Sequence, residues 1–579
     1  MNNEKELRIK GGDKLLALIQ KFSPTEKVIF GACIILLIIS AAILAKQVNQ
    51  LFLVSVPTQG GSLTEGVIGL PRLVNPVLAF SDADKDLSAL IYAGLMKYDN
   101  GTLVPDLAAS YTISTDALTY TFTLKNNLRF QDGTTLTADD VAFTIAKIQD
   151  SSLKSPLRAN WANITIKVVA ANQIQFILKQ PYSPFLANTT VGILPKHIWN
   201  NVSTDQFIFS EYNIEPIGAG PYKLASIVRD SGGIPTSYVL VPWSGHPAGT
   251  AFISTINIAF FADEKTAVAA YNNGTIESIS TVSPVDATDI ASSTNASHII
   301  TAPLPRIFGV FFNQNQASIF SDKAVRQALN TAVDRKQIIE QVLAGYGTAV
   351  AGPIPAGLMA VSSASTTALA NANISAAQSI LVKDGWTLGN DGVFQKKTKT
   401  GTTSLAFSIS TADSPDLTAT AQILKTQWAA IGAKVTIKIF QPSDFNQNVI
   451  ESRSYDAILF GESISNSVDL YAFWHSSQRN APGLNIAMYV NSQTDKLLEA
   501  ARSESDMSQR LTDYGNFATI IQNDVPAIFL YSPDFIYIVP NKIYGIAINA
   551  VSVPANRWSE VSKWYIDTDS VWKFFIKKQ

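Results

Sequence analysis

Only one of the 579 residues is a cysteine, Cys33, and it lies inside an apolar run near the N-terminus. Disulfides therefore contribute nothing to the rest of the chain, which also has no thiolate nucleophile and no Cys-based metal site. Histidine is scarce too. His197, His246, His298 and His475 are scattered without HxxxH or HExxH spacing, which reads as surface or packing residues rather than ligands. Charged residues make up 16% of the chain and balance to a formal net charge of −2. So balanced a charge argues against a nucleic-acid partner, which usually needs a basic face. No GxSxG, P-loop or dinucleotide fingerprint occurs. Asp82-Ala83-Asp84-Lys85-Asp86 imitates the start of a calcium loop, but Leu87 replaces the required glycine and Ala93 the closing glutamate. These absences leave no residues arguing for an enzyme, a cofactor or a metal.

What is present begins with the apolar run itself. Residues 28–45, VIFGACIILLIISAAILA, carry no charge. At about 1.5 Å per residue such a helix nearly spans the ~30 Å hydrocarbon core of a bilayer. Ser23-Pro24-Thr25-Glu26 supplies a helix start: Ser23 caps, Pro24 suits the first turn, and Glu26 closes a capping box. Six basic residues precede the run (Lys5, Arg8, Lys10, Lys14, Lys21, Lys27), whereas after Lys46 the next is Arg72. The positive-inside rule then places residues 1–27 in the cytoplasm and the large remainder outside. A cleaved signal peptide fits less well, since Ile43-Leu44-Ala45 is a poor small-x-small site. Lipidation fits least, because Cys33 stands at the start of the apolar run and not at its end. The expectation is a single-pass cell-membrane protein with a linker over residues 46–62, ending TQGGS.

Beyond the linker, strand and helix signals alternate without an internal repeat or a second membrane segment. LTYTFTLKNNLRF reads as a period-two strand pair broken at Lys125-Asn126-Asn127, and Asp132-Gly133 as a tight turn. Thr137-Ala138-Asp139-Asp140 opens a helix, and TIKVVAANQIQFIL is a hairpin turning at Ala170-Ala171-Asn172. Asp322–Leu343 reads as one long amphipathic helix with Val325, Leu329, Val333, Ile338 and Val342 inward. Residues 360–372 form a Ser/Thr/Ala-rich loop, 417–431 a helix, and VTIKIF a strand. The fold class is α/β.

Several blocks, in order, resemble one family. They are Asn75-Pro76 followed by LIYAGLMKYDNGTLVPDLAASYTISTDALTYTFTLKNNLRFQDGTTLTADDVAFTI, then IGAGPYKL (217–224) and FSDKAVRQALNTAVDRKQIIEQVLAGYGTAVAGPIP (320–355). The helix and Gly-Trp segment at 374–386, IGAKVTIKIF, YDAILFG and DVPAIFLY complete the series. Over residues 60–565 the chain resembles the family 5 bacterial extracellular solute-binding proteins, the oligopeptide-, dipeptide- and nickel-binding components of ABC importers. Most matched residues read as fold-keeping: glycines and prolines of GAGPY and AGPIP fix turns where positive φ is needed, and Trp386, Arg326 and Tyr120 are not read as ligand contacts.

The resemblance implies a two-lobed periplasmic-binding-protein-like fold with an extra subdomain, preceded by one transmembrane helix. By that pattern residues 58–98, 216–303 and 526–565 form lobe 1, 99–215 the inserted subdomain, 304–525 lobe 2 and 566–579 a tail. It also implies a monomer that binds a peptide or other oligomeric solute between the lobes and delivers it to ABC permease subunits. Peptide sensing or scavenging uncoupled from import is the alternative.

The cleft segment departs from the pattern. Peptide-binding relatives commonly read Gly-Trp-x-x-Asp after the Tyr-Asp strand, with the aspartate holding the ligand's α-ammonium. Here the chain reads Gly461-Glu462-Ser463-Ile464-Ser465-Asn466, with Glu462 at the tryptophan position and Ser465 at the aspartate position. A neutral serine lacks the charge for a desolvated ammonium, a loss of a few kcal/mol. Three readings follow: Glu462 substitutes, Asp469 does so through a shifted loop, or the ligand has no free amino terminus. The expected ligand-binding residues are Gly461, Glu462, Ser463, Ser465 and Asn466, together with Tyr531, Phe80 and Asn313. Trp474 and His475 read as core.

Overall fold

The computed structural model describes residues 21–99, 101–293, 296–355, 371–398, 401–464, 468–549 and 551–575. The chain divides into two compact units, residues 1–58 with 567–579, and residues 59–566. In the first unit a 29-residue helix runs Pro24–Phe52 from an N-cap at Ser23, with the Ser23–Glu26 capping box formed. Its mean hydropathy reaches 3.0 over an 18-residue window and none of its residues is buried. The helix passes through residues 46–52 of the expected linker, and Leu53–Pro57 then form a strand paired with Thr568–Trp572.

The second unit is built on a twelve-stranded sheet that the chain crosses twice between its halves. In one half, parallel pairing of Gly60–Ile68 with Ile253–Phe261 and with Ser278–Ser280 is extended by the antiparallel strands Pro235–Pro242 and Tyr222–Arg229. In the other, Ala406–Ala412 lies parallel to Lys434–Phe440 and Ala457–Ser463, and the last of these is antiparallel to Arg306–Phe312. The 14-residue strand Ala527–Pro540 belongs to both halves. Residues 527–531 pair with Arg306–Phe312, and residues 534–540 pair with Ser297–Pro303. Its near-continuous apolar sequence, AIFLYSPDFIYIVP, is what a strand covered on both faces requires.

A four-stranded antiparallel sheet (Ala108–Ile113, Thr119–Leu124, Gln173–Ile177, Thr165–Ala170) forms the subdomain. Its Phe122 and Phe176 belong to the same hydrophobic core as Leu63, Ile256 and Tyr537 of the first half, so the two pack as one body. The second half has a separate core on each face of its sheet. The hairpin at 170–172 and the helix Ala138–Gln149 form as the sequence predicts. After Thr119–Leu124, however, LTYTFTLKNNLRF gives no second strand, only an isolated bridge from Arg129 to Thr135 around Gly133. Most of the Ser/Thr/Ala-rich loop at 360–372 lies outside the described residues.

Two further expectations need correction. The stretch 322–343 is two helices, Lys323–Thr331 and Arg335–Val342, because Asp334 N-caps the second by accepting from the Gln337 amide. All five apolar positions are buried nonetheless. Gly218, Gly220 and Gly352 do not have positive φ. Gly218 and Gly220 are required by close approach: a Cβ on Gly218 would lie 2.1 Å from the Ile91 carbonyl oxygen, and one on Gly220 2.6 Å from the Ile91 carbonyl carbon. Arg326 and Trp386 prove structural. Arg326 donates to the carbonyls of Phe320, Asp524 and Val525, and the Trp386 indole donates to Asp322.

Candidate functional site

The two crossings between the halves lie side by side. The Leu304 amide donates to the Pro533 carbonyl at 3.0 Å, and the Ser532 hydroxyl donates back to the Leu304 carbonyl at 2.6 Å. The end of strand Ala457–Ser463 adjoins this junction, since the Ile464 amide donates to the Pro305 carbonyl at 2.7 Å. Gly461, Glu462 and Ser463 therefore sit where the halves meet.

Strand alternation sorts these residues onto two faces. On one, Gly461 lies opposite Phe308, and Phe308 lies opposite Tyr531 on the third strand. The Phe308 and Tyr531 rings stack at 5.1 Å with planes 21° apart. Gly461 makes room for this arrangement, because a Cβ there would come within 2.7 Å of the Phe308 ring. Tyr531 is buried, which pushes its phenol up to about 12. Phe308 is half-buried and completes the platform. It was not among the residues picked from the sequence, although the alternation of RIFGVFF was there to find it.

On the opposite face Glu462 lies across from Ile307. Its same-face neighbours along the strand, Ile458 and Phe460, pack into the apolar cluster that contains Ile307 and Phe311. Only 2% of Glu462 is exposed, and neither oxygen of its carboxyl group has a hydrogen-bond partner among the described residues. Desolvation accordingly holds its acid constant well above the ordinary carboxylate range. Buried polar groups are normally paired. An acid group left unpaired at a junction of two lobes is suited to giving up its proton on receiving a cationic group from outside the chain.

The other expected residues are dispersed. Ser463 is exposed at the strand end. Ser465 and Asn466 lie outside the described residues. Asn313 follows the far end of strand Arg306–Phe312; its amide donates to the Arg453 carbonyl while its oxygen accepts from the Asn315 and Gln316 backbone. Phe80 is 76% exposed in the loop before helix Asp82–Ile91, with the Lys85 ammonium 5.9 Å from its ring. Asp469 is engaged by an ion pair with Arg502 at 3.1 Å and a hydrogen bond from the Tyr182 hydroxyl at 3.2 Å. The Arg502 guanidinium also lies over the rings of Tyr182 and Tyr471. Tyr182 packs against the core of the first half, so this cluster is a second link across the halves. Trp474 is wholly buried among aromatic residues, and His475 stacks on Tyr471. A roomy surface hollow, about 670 Å³, lies elsewhere, between helices Glu264–Asn272 and Pro284–Ser293, and none of these residues lines it.

A model of the middle region of bacterial extracellular solute-binding proteins, family 5, matches residues 102–482. The chain belongs to that family. The oligopeptide-binding protein AppA of Bacillus subtilis is 29% identical over 519 residues, covering 88% of this chain and 92% of its own. Its structure in complex with a nonapeptide superposes with a TM-score of 0.65 at 28% identity, covering 88% of this chain and all of that one. NikZ from Campylobacter jejuni, solved with Ni(L-His), matches with a TM-score of 0.67 at 25% identity, over 87% of this chain and 99% of its own. The two halves of the long sheet are thus the two lobes of a periplasmic-binding-protein fold, and this solute-binding protein carries one apolar helix ahead of them.

Proposed function

We propose that this solute-binding protein is a membrane-anchored receptor, with its N-terminus in the cytoplasm, that captures a peptide between its lobes and passes it to an ABC permease. Glu462 carries the reading. A carboxyl group buried beside the lobe junction without a partner among the described residues suits a ligand ammonium or guanidinium. The Phe308–Tyr531 pair, on the sheet's other face, ties the neighbouring strand Arg306–Phe312 to Ala527–Pro540. Lobe closure would favour the bound state because only the closed form contacts ligand from both sides. Support comes from the family membership, from the relative named for oligopeptide binding and from the nonapeptide complex.

Two measurements test this. Mass spectrometry of material co-purifying with the protein should reveal peptides bearing a free amino terminus or a basic side chain; a neutral or metal cargo would refute the peptide reading. With such a peptide in hand, Glu462→Gln should weaken binding by tenfold or more, since a charge-assisted hydrogen bond contributes about 1.5–3 kcal/mol. Unchanged affinity would remove Glu462 from the site.

A further inference from the structure

The strands Leu53–Pro57 and Thr568–Trp572 are antiparallel, with Leu53 opposite Trp572, Val54 opposite Val571, Ser55 opposite Ser570, Val56 opposite Asp569 and Pro57 opposite Thr568. The ribbon is graded along its length. The pairs next to the helix are apolar, and those farther away are mostly polar. At the helix end the Phe52 and Trp572 rings stack at 6.1 Å, 25° between planes. Leu51, Phe52, Trp572 and Phe574 are 82%, 53%, 49% and 88% exposed. Because the strands are antiparallel, the chain after Trp572 emerges at this same end, where Lys573–Phe575 form a single 3-10 turn. The sequence then runs Ile576-Lys577-Lys578-Gln579.

Height along the helix decides what this end meets. About 30 Å of hydrocarbon takes about 20 residues at 1.5 Å each, which places its boundary near Gln47 if the span begins at Val28. Phe52 then stands about 7–8 Å higher, within the polar layer that adds about 5–8 Å on each side of a bilayer. That layer is where interfacial aromatic rings partition. Charge agrees. Over residues 46–58 and 567–579 there are four lysines (Lys46, Lys573, Lys577, Lys578) against two aspartates (Asp567, Asp569), a balance that favours anionic headgroups.

We propose that the C-terminal strand is a second membrane contact, its aromatic and lysine-bearing end seated in the headgroup layer of an anionic bilayer beside the emerging helix. The proposal rests on the anchor reading above. The strands Leu53–Pro57 and Thr568–Trp572, which flank the external part of the chain, would then both be held at the outer surface of the membrane, and the tail outside the family match would have a binding role of its own.

The test uses the full chain in mixed phosphatidylcholine–phosphatidylglycerol vesicles. Cys33→Ala gives a cysteine-free background into which Lys573→Cys, Ser40→Cys or Ser231→Cys is introduced singly and spin-labelled. Saturation by oxygen and by a water-soluble nickel chelate reports depth. The label at 40 should lie deep, that at 231 in water, and that at 573 at headgroup depth, with nickel access several-fold below that at 231. Adding Trp572→Ser and Phe574→Ser should return the 573 label to water. If the 573 label is as accessible to nickel as that at 231 while the label at 40 is buried, the tail contact is overturned and the anchor stands. A water-accessible label at 40 would overturn the anchor and the tail contact together.

Discussion

Burying an ionisable side chain without a partner costs the folded state unless the group gives up its charge. Glu462 is in that position, and the consequence for stability has a definite sign. Its ordinary acid constant is 4.5 and burial raises it in the folded chain. Above pH 4.5 the folded protein therefore holds a proton that the unfolded chain has released. The contribution of Glu462 to stability is greatest below that pH and falls as pH rises from there to the folded value, by about 1.4 kcal/mol per pH unit within the window. Glu462→Gln, being neutral, should flatten that slope and raise the denaturation midpoint of ligand-free protein at pH 7.5. A midpoint that falls, with the slope intact, would show that another group sets it. The same substitution is expected to weaken ligand binding, so this position would trade stability for function. The departure at Glu462 was legible in the sequence because the surrounding blocks aligned it. Its isolation was not, since orphaning depends on what the neighbouring strand and cluster place around it.

At the level of elements, the split helix at 323–342 shows where sequence patterning ran out. The inward positions Val325, Leu329 and Val333 step by four, and the next step, to Ile338, is five. At 100° per residue a five-residue step swings the apolar stripe well off its line. Asp334 with Gln337 three residues on is itself a helix-start signal. That pairing outweighed the continuous amphipathic pattern, so the helix stops and restarts. Asp334→Ala should lower stability by about 1 kcal/mol, the usual cost of a lost N-cap, read as a lower urea midpoint with unchanged slope. Strands were read more securely than helix ends, because period-two alternation survives burial on either face. The glycines of GAGPY were also singled out correctly but for the wrong physical reason. Sequence shows that a glycine is present, not whether a torsion angle or a neighbouring backbone demands it.

Across the whole molecule, the first lobe is tied by one buried charge network. Arg557 makes two parallel hydrogen bonds to Asp86, at 2.8 and 2.6 Å, and a third to Glu65 at 3.0 Å. Tyr537 and Ser278 donate to the other Glu65 oxygen. A helix, three strands and the 3-10 segment Pro554–Lys563, which carries Arg557, thus meet at one guanidinium, which its two carboxylate partners hold firmly charged against the cost of burial. Arg557→Leu would leave two carboxylates uncompensated in the core and should cost about 3–5 kcal/mol. Calorimetry should show a markedly lower Tm, or two transitions if the second lobe, with its separate cores, outlasts the first.

The pairing of the strands at residues 53–57 and 568–572 also bears on the order in which the chain assembles. Closing an unfolded loop of some 500 residues costs about 5–6 kcal/mol in chain entropy, and a two-stranded ribbon alone is marginal in water. Once residues 59–566 have folded, their own ends adjoin, Ile566 lying against Gly61. The ribbon then forms almost without entropic penalty. Loop entropy therefore favours closing it last, after both lobes, and a C-terminus open to proteolysis before the lobes fold and protected afterwards is the expected outcome of pulsed digestion during refolding.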